Sequence, residues 1–248
     1  MLKKLVFLTI TASLLFFYTT YPQELNLKWH HINETGKIND MELIPDHNTF
    51  LVTTEFELQI RSTETGEVLE TYPYGSRDLE LTPDSTKLIS YNRDTLFIRN
   101  LDDFSLINSY VLPEGDEHSV HSFRDLVVDP IRPYIYVIHE LYSTYPEYLH
   151  CYVLIFNYET MELVKDITPE GLEVRYSKIL AISNDGKYLV DVTSVNSKLV
   201  VWDLDTREVY RELQLCPYME VFDGNPTCVK FSQLDNDKIY IIVSKAIP

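Results

Sequence analysis

Two histidines, His118 and His121, stand close to Glu114, Asp116 and Glu117. Imidazole and carboxylate are the donors a zinc site draws on, and such a site needs three or four that converge. On a loop, side chains of this kind read first as solvated groups. No metal is therefore expected, and His118 and His121 stay weak candidates. His139-Glu140 opens like a metalloprotease helix, but position 143 is Ser and the surrounding alternation is that of a strand. Asp235-Asn236-Asp237 opens like a calcium loop and lacks the later ligands. His30-His31 would point to opposite faces of a strand. No G-x-G-x-x-G, P-loop, G-x-S-x-G or C-x-x-C motif occurs, and seven glycines are too few to hide a phosphate-cradling loop. The expectation is no catalytic residue and no cofactor.

Recognition chemistry is better represented. Tyr142, Tyr145 and Tyr148 crowd one stretch, and Tyr218 and Phe222 another. Tyrosine offers apolar area together with a hydroxyl and suits binding surfaces. These five residues are the candidate binding set.

The elements that would position them follow from a repeated ten-residue phrase: Ile60–Leu69, Ile98–Ile107, Ile155–Val164 and Val201–Tyr210. Each opens on an apolar residue, passes through a polar turn with an acid at the fifth position (Glu64, Asp102, Glu159, Asp205) and re-enters apolar residues. Those acids are expected to cap the turn, because short polar side chains bond nearby backbone N–H groups. A second phrase precedes each first one: Met41–Asp46, Leu79–Asp84, Leu126–Pro130, Leu180–Asp185, with a fifth copy at Val229–Gln233. It alternates apolar and polar residues and breaks at Pro, Asn or Asp, which predicts a half-buried strand and a turn. Further strands are predicted at Thr49–Thr53, Lys87–Tyr91, Tyr134–His139, Tyr188–Val192 and Lys238–Ser244. The unit is strand a, short turn, strand b, connection, strand c, polar turn, strand d. A period of about 40–50 residues belongs to solenoids and propellers.

Val201-Trp202-Asp203 with Thr206, and their counterparts in the other three phrases, resemble the WD-repeat and YVTN-type β-propeller superfamily in divergent form. The likeness covers about residues 37–244. One phrase alone has Trp-Asp, and the Gly-His pair of strict WD repeats is absent. The resemblance implies an all-β propeller of four-stranded antiparallel blades, with about five blades or as part of an incomplete larger propeller. Expected repeats are 37–74, 76–115, 125–170, 177–215 and a partial unit at 225–244. Leu25–Ile32 returning as a strand would close a five-bladed ring; a chain that is an amino-terminal fragment would not close. Alternating strand direction puts the b–c and d–a connections on one face, where Leu112–Arg124, Leu141–Cys151 and Leu215–Thr227 are the variable segments. Rigid scaffolds carry function on such loops.

The full chain carries 21 basic and 38 acidic residues among 248, a net charge of −17. That excludes binding nucleic acid through its phosphates and docking on anionic membranes. Residues 1–22 read as a signal peptide, with Lys3 and Lys4 before the apolar run Leu5–Phe17. The run is short for a membrane span, which needs about 20 residues, and no small-residue cleavage site follows. An uncleaved amino-terminal anchor is the alternative, and the membrane is a partner only in that case. The expected location is extracytoplasmic, secreted or periplasmic. Asn33-Glu34-Thr35 is a glycosylation sequon that matters only in a eukaryotic secretory pathway. Cys216 and Cys228 flank one connection and could pair as a disulfide in an oxidising compartment, leaving Cys151 as a buried hydrophobe. The resulting expectation for residues 24–248 is an exported, non-catalytic propeller that binds a protein or another extracytoplasmic macromolecule. Propeller enzymes of lactonase or quinoprotein type are the alternative, with His118, His121 and Asp129 as site candidates. A truncated paralogue without activity is a third possibility.

Overall fold

A computed structural model describes residues 37–45, 47–144, 147–166, 177–193, 198–214, 226–232 and 238–243. Every described element is a strand. The first sheet holds β1 (Asp40–Ile44), β2 (Thr49–Thr53), β3 (Leu58–Ser62) and β4 (Val68–Tyr72). The second holds β5 (Asp78–Leu81), β6 (Lys87–Tyr91), β7 (Thr95–Asn100) and β8 (Leu106–Val111). The third holds β9 (Ser119–Val128), β10 (Tyr134–Thr144), β11 (Glu147–Asn157) and β12 (Leu163–Asp166). The fourth holds β13 (Ser177–Ile182), β14 (Tyr188–Thr193), β15 (Lys198–Asp203) and β16 (Glu208–Gln214). In the fifth, β17 (Pro226–Phe231) and β18 (Ile239–Val243) are described. Each four-stranded sheet is an antiparallel meander in which chain order equals spatial order. The first strands pack in sequence, β1 on β5, β5 on β9, β9 on β13 and β13 on β17. They form an inner rim from which the sheets radiate, so the architecture is a β-propeller with about five blades.

The core is divided among four seams. Leu51 and Leu58 meet Leu88 and Phe104 between blades 1 and 2. Ile89 and Leu96 meet Phe123 and Phe156 between blades 2 and 3. Tyr136 and Val153 meet Leu189 and Trp202 between blades 3 and 4, and Val190 and Val201 meet Val229 and Phe231 between blades 4 and 5. Leu79, Leu126, Leu180 and Val229 occupy equivalent places on inner strands and are 1–3% exposed, whereas Met41 at the same place on β1 is 57% exposed. The face of β1 that a preceding blade would cover is therefore open. Leu25–Ile32, the segment expected to complete a ring, lies outside the described residues.

All four ten-residue phrases fall on c–d hairpins. Their capping residue differs from expectation. The third position does the work: the backbone N–H at the fifth position donates to Ser62 Oγ (3.2 Å), Asn100 Oδ1 (3.0 Å), Asn157 Oδ1 (2.8 Å) and Asp203 Oδ1 (3.0 Å). The turn places the third side chain over the fifth N–H, and the fifth side chain points outward. Two of those outward acids reach the preceding blade instead: Glu159 takes Lys87 at 2.9 Å, and Asp205 takes Arg132 at 3.4 Å. The seventh position of each phrase is left-handed, with Gly66, Phe104, Met161 and Arg207 at φ of 74°, 55°, 60° and 60°. That is the bulged hairpin turn, and a register shift marks all four hairpins.

Candidate functional site

Blade 3 departs from its siblings. β10 and β11 run 11 residues each and pair continuously from Tyr134↔Asn157 to Thr144↔Glu147. β9 adds ten residues, starting at Ser119 rather than near 125 as the repeat boundary predicted. The strands of blades 1 and 2 have four to six. At about 3.3 Å per residue the surplus carries this sheet roughly 15–18 Å beyond them. The segments YIYVIHELYST and EYLHCYVLIFN are rich in β-branched and aromatic residues, which fit a pleated surface. The extension emerges where the b–c and d–a connections lie. What was expected as a variable loop at 141–151 is mostly ordered sheet.

On the face turned toward blade 2, aromatic rings form a ladder. His121 and His139 stack at 5.1 Å between centroids, His139 and Tyr152 at 5.6 Å, and Phe123 sits edge-on to His139. His121 Nδ1 and His139 Nε2 lie 2.9 Å apart, so one ring donates to the other. Burial, helped by His121, pushes His139 down to about 4 and keeps it neutral at ordinary pH. On the other face Glu140, itself buried, is ion-paired to Arg124. That pairing holds the Arg124 guanidinium charged.

Of the expected binding residues, Tyr142 is described and lies exposed on the extension, directly opposite Val120 of β9 and Leu149 of β11. Tyr145, Tyr218 and Phe222 lie outside the described residues, as does the side chain of Tyr148. The same face exposes Phe56, at 70%, on the b–c turn of blade 1. Sequence reasoning missed Phe56; an aromatic between Glu55 and Glu57 in a turn was the available signal. Acids surround these groups: Glu55, Asp94, Glu114, Asp116 and Glu117 are exposed on b–c and d–a connections.

The weak metal candidates part company. His118 is exposed and pairs with Glu117 at 3.3 Å, and its backbone N–H donates to Asp116 Oδ1 at 2.9 Å. Asp116 also accepts the Ser119 hydroxyl at 2.8 Å, a bond that holds its carboxyl below the usual range. Asp129, at the far end of β9, is fully buried and accepts from Ile131 N–H, Arg132 N–H, Arg132 Nε and the Tyr136 hydroxyl at 2.7–2.9 Å. Eight residues of strand separate it from His121, roughly 26 Å, so His118, His121 and Asp129 do not share a site. Among the described residues no three of His, Cys, Asp and Glu are grouped to hold a metal. Cys151 is buried as expected. The Cys216–Cys228 pairing, His30-His31, Asn33 and Asp235-Asn236-Asp237 lie outside what is described.

The inner rim carries a second cluster that the sequence reading overlooked. Asp40 and Glu42 of β1, Asp78 and Glu80 of β5, and Asp125 of β9 face one axis, with Lys230 of β17 near Glu42, Glu80 and Asp125. Burial, then Asp40, raises Glu42 to about 7; burial, then Glu42, raises Glu80 to about 8.

Known structures agree with this architecture. The chain superposes on hydrazine synthase from Kuenenia stuttgartiensis with a TM-score of 0.63 over 82% of this chain and 70% of that one, at 14% identity. The fold is a β-propeller's. At that identity the likeness carries the fold alone. No protein-family model matches the chain, and no curated protein matches it in sequence.

Proposed function

We propose that this propeller is an exported, non-catalytic interaction scaffold that docks a protein partner on the b–c/d–a face. The observation that carries this reading is the ordered extension of blade 3. It holds Val120 and Tyr142 side by side in solvent on paired strands, at 47% and 38% exposure. Exposed apolar groups on a rigid support lose little conformational freedom on binding. Phe56 supplies a second anchor on the same face. The surrounding acids favour a partner with a basic rim, whose association would be fast at low salt. The separation of His118 and His121 from Asp129 supports the non-catalytic reading, and Lys3 and Lys4 before the apolar run of residues 5–17 support export.

A photo-crosslinking residue at position 142, compared with one at Glu208 on the outer strand β16, tests the face. Adducts from an extracytoplasmic extract are expected at 142 alone and should fade when Phe56→Ser and Val120→Ser are added. Equal adducts at both positions would refute the assignment.

A further inference from the structure

The inner strands repeat one device at three seams. Asp40 Oδ2 accepts the Leu79 N–H at 2.9 Å, Asp78 Oδ2 accepts the Leu126 N–H at 3.2 Å, and Asp125 Oδ2 accepts the Leu180 N–H at 2.5 Å. Each aspartate stands one residue before the N–H that the preceding blade's aspartate binds. Carboxyl and N–H thus step together from β1 to β5 to β9 to β13. The Leu79 N–H also lies 3.1 Å from Asp78 Oδ1, so one donor is shared between neighbouring carboxyls. The Asp40 and Asp78 carboxyls therefore converge on one N–H, and Asp125, on the neighbouring inner strand β9, lies near enough to Asp78 for its charge to raise the Asp78 carboxyl. Carboxyl groups packed this closely are relieved of mutual repulsion when a proton sits between them, since ionised carboxylates are acceptors alone.

The surroundings hold that proton in place. Glu42 and Glu80 face the row from β1 and β5, Tyr91 faces Asp78 and Asp125 from β6 with Arg77 and the Glu140-paired Arg124 close to it, and Lys230 approaches from β17. The acids outnumber the three cations. Burial, then Asp125 and Asp40, pushes Asp78 well above the carboxylate range. Asp125 is raised by burial despite the opposing help of the Leu180 N–H, Asp78 and Lys230. Each of the three carboxyls is aimed at a backbone N–H of the next inner strand rather than at the apolar seam, so packing alone does not account for three copies at one repeat position.

We propose that the Asp40–Asp78–Asp125 row is a proton-operated latch on the inner rim: with its shared proton it clamps blades 1 to 4 together, and proton loss turns it into three like charges that loosen their seams.

The sign follows from linkage. Carboxyls raised in the folded state favour folding fully below the unfolded carboxylate range, near pH 4, and that contribution is lost as pH rises through about 7 to 8. The melting temperature of the full chain is therefore expected to fall by roughly 5–10 °C between about pH 6 and pH 9. Asp78→Asn should remove at least half of that fall. Its amide donates to a neighbouring carboxylate at every pH, while its oxygen still accepts the Leu126 N–H. A wild-type melting temperature that stays level or rises over this range, or an Asp78→Asn variant with the wild-type slope, overturns the latch. Should the variant fail to fold, infrared difference spectra of a Glu42→Gln/Glu80→Gln variant, which removes the two neighbouring glutamates and keeps the row, decide. Loss of a protonated-carboxyl C=O band between about pH 6 and pH 9 supports the proposal, and a band absent or unchanged overturns it.

Discussion

Replacing Asp129 with asparagine tests how blades 3 and 4 are joined. Asp129 is fully buried and receives four donors, two backbone N–H groups, Arg132 Nε and the Tyr136 hydroxyl. Arg132 in turn donates to the Gly186 and Leu204 carbonyls and to Asp205, all on blade 4. Gly186 is itself constrained, with φ of +66° and an imagined Cβ 3.0 Å from Asp129 Oδ1. Asparagine keeps the shape but turns one acceptor into a donor that meets another donor, and it removes the charge opposite Arg132. Breaking a buried pair by removing one partner costs about 3–5 kcal/mol. The Arg132 side chain is 26% exposed, so water recovers part of this, and the lower end applies, about 3 kcal/mol. At roughly 2–4 °C per kcal/mol for a domain of this size, the melting temperature should fall by about 6–12 °C. Urea unfolding with an unchanged slope would confirm that stability alone changed. Because Arg132→Met also strands Asp129, the two substitutions combined should cost less than their sum by at least about 1 kcal/mol. A fall below about 2 °C for Asp129→Asn, or strict additivity with Arg132→Met, would refute the hub.

Other expectations are more local. Trp202→Ala should destabilise by about 3–5 kcal/mol in denaturant titration; Trp202→Phe should cost only about 1–2 kcal/mol, because the buried Nε1 has no hydrogen-bond partner to lose. Arg207→Gly relieves a left-handed residue at φ of 60° and should raise stability by about 0.5–1 kcal/mol, read as a higher melting temperature. Titrated by NMR, His139 should show a midpoint near 4; since the unfolded value lies near 6.5, its contribution is present above that pH and lost as pH falls toward 4. Phe56→Ser and Tyr142→Ser should each leave stability within about 0.5 kcal/mol while weakening partner capture in a pull-down.

The strands were legible because β-branched and aromatic runs recur between polar turns; the middle strands β2, β6 and β15 bury consecutive residues because both faces of a blade pack on neighbours. β2 and β6 coincide with their predicted spans, Thr49–Thr53 and Lys87–Tyr91. The turn chemistry was half legible. The acid at the fifth position recurs in all four phrases, whereas the cap is a variable Ser, Asn or Asp at the third, marked only by its distance to an N–H. The extension of blade 3 was read as a loop because His, Glu, Ser and Thr interrupt its apolar run; stacked His121, His139 and Tyr152 make that polarity compatible with a sheet. The axial row escaped because Asp40, Asp78 and Asp125 look, one at a time, like ordinary polar residues of an alternating strand. Only the packing of one inner strand on the next brings them side by side, and no linear pattern encodes that convergence.

The row of aspartates stops at the fourth blade, where the equivalent residue is Ile179. An aliphatic side chain has no acceptor to offer the next inner strand, so the seam between β13 and β17 rests on apolar contact among residues such as Ala181, Val190, Val229 and Phe231, with the Asn184 amide donating to the Ser232 carbonyl at 3.1 Å beyond the strand ends. Apolar contact sets no register, whereas a carboxyl aimed at one N–H does. The molecule is therefore graded from one side to the other. Amides of β17 and β18 should exchange with solvent through smaller openings than those of β5 and β9, and the fifth sheet should be the first to leave when the protein is heated or pulled.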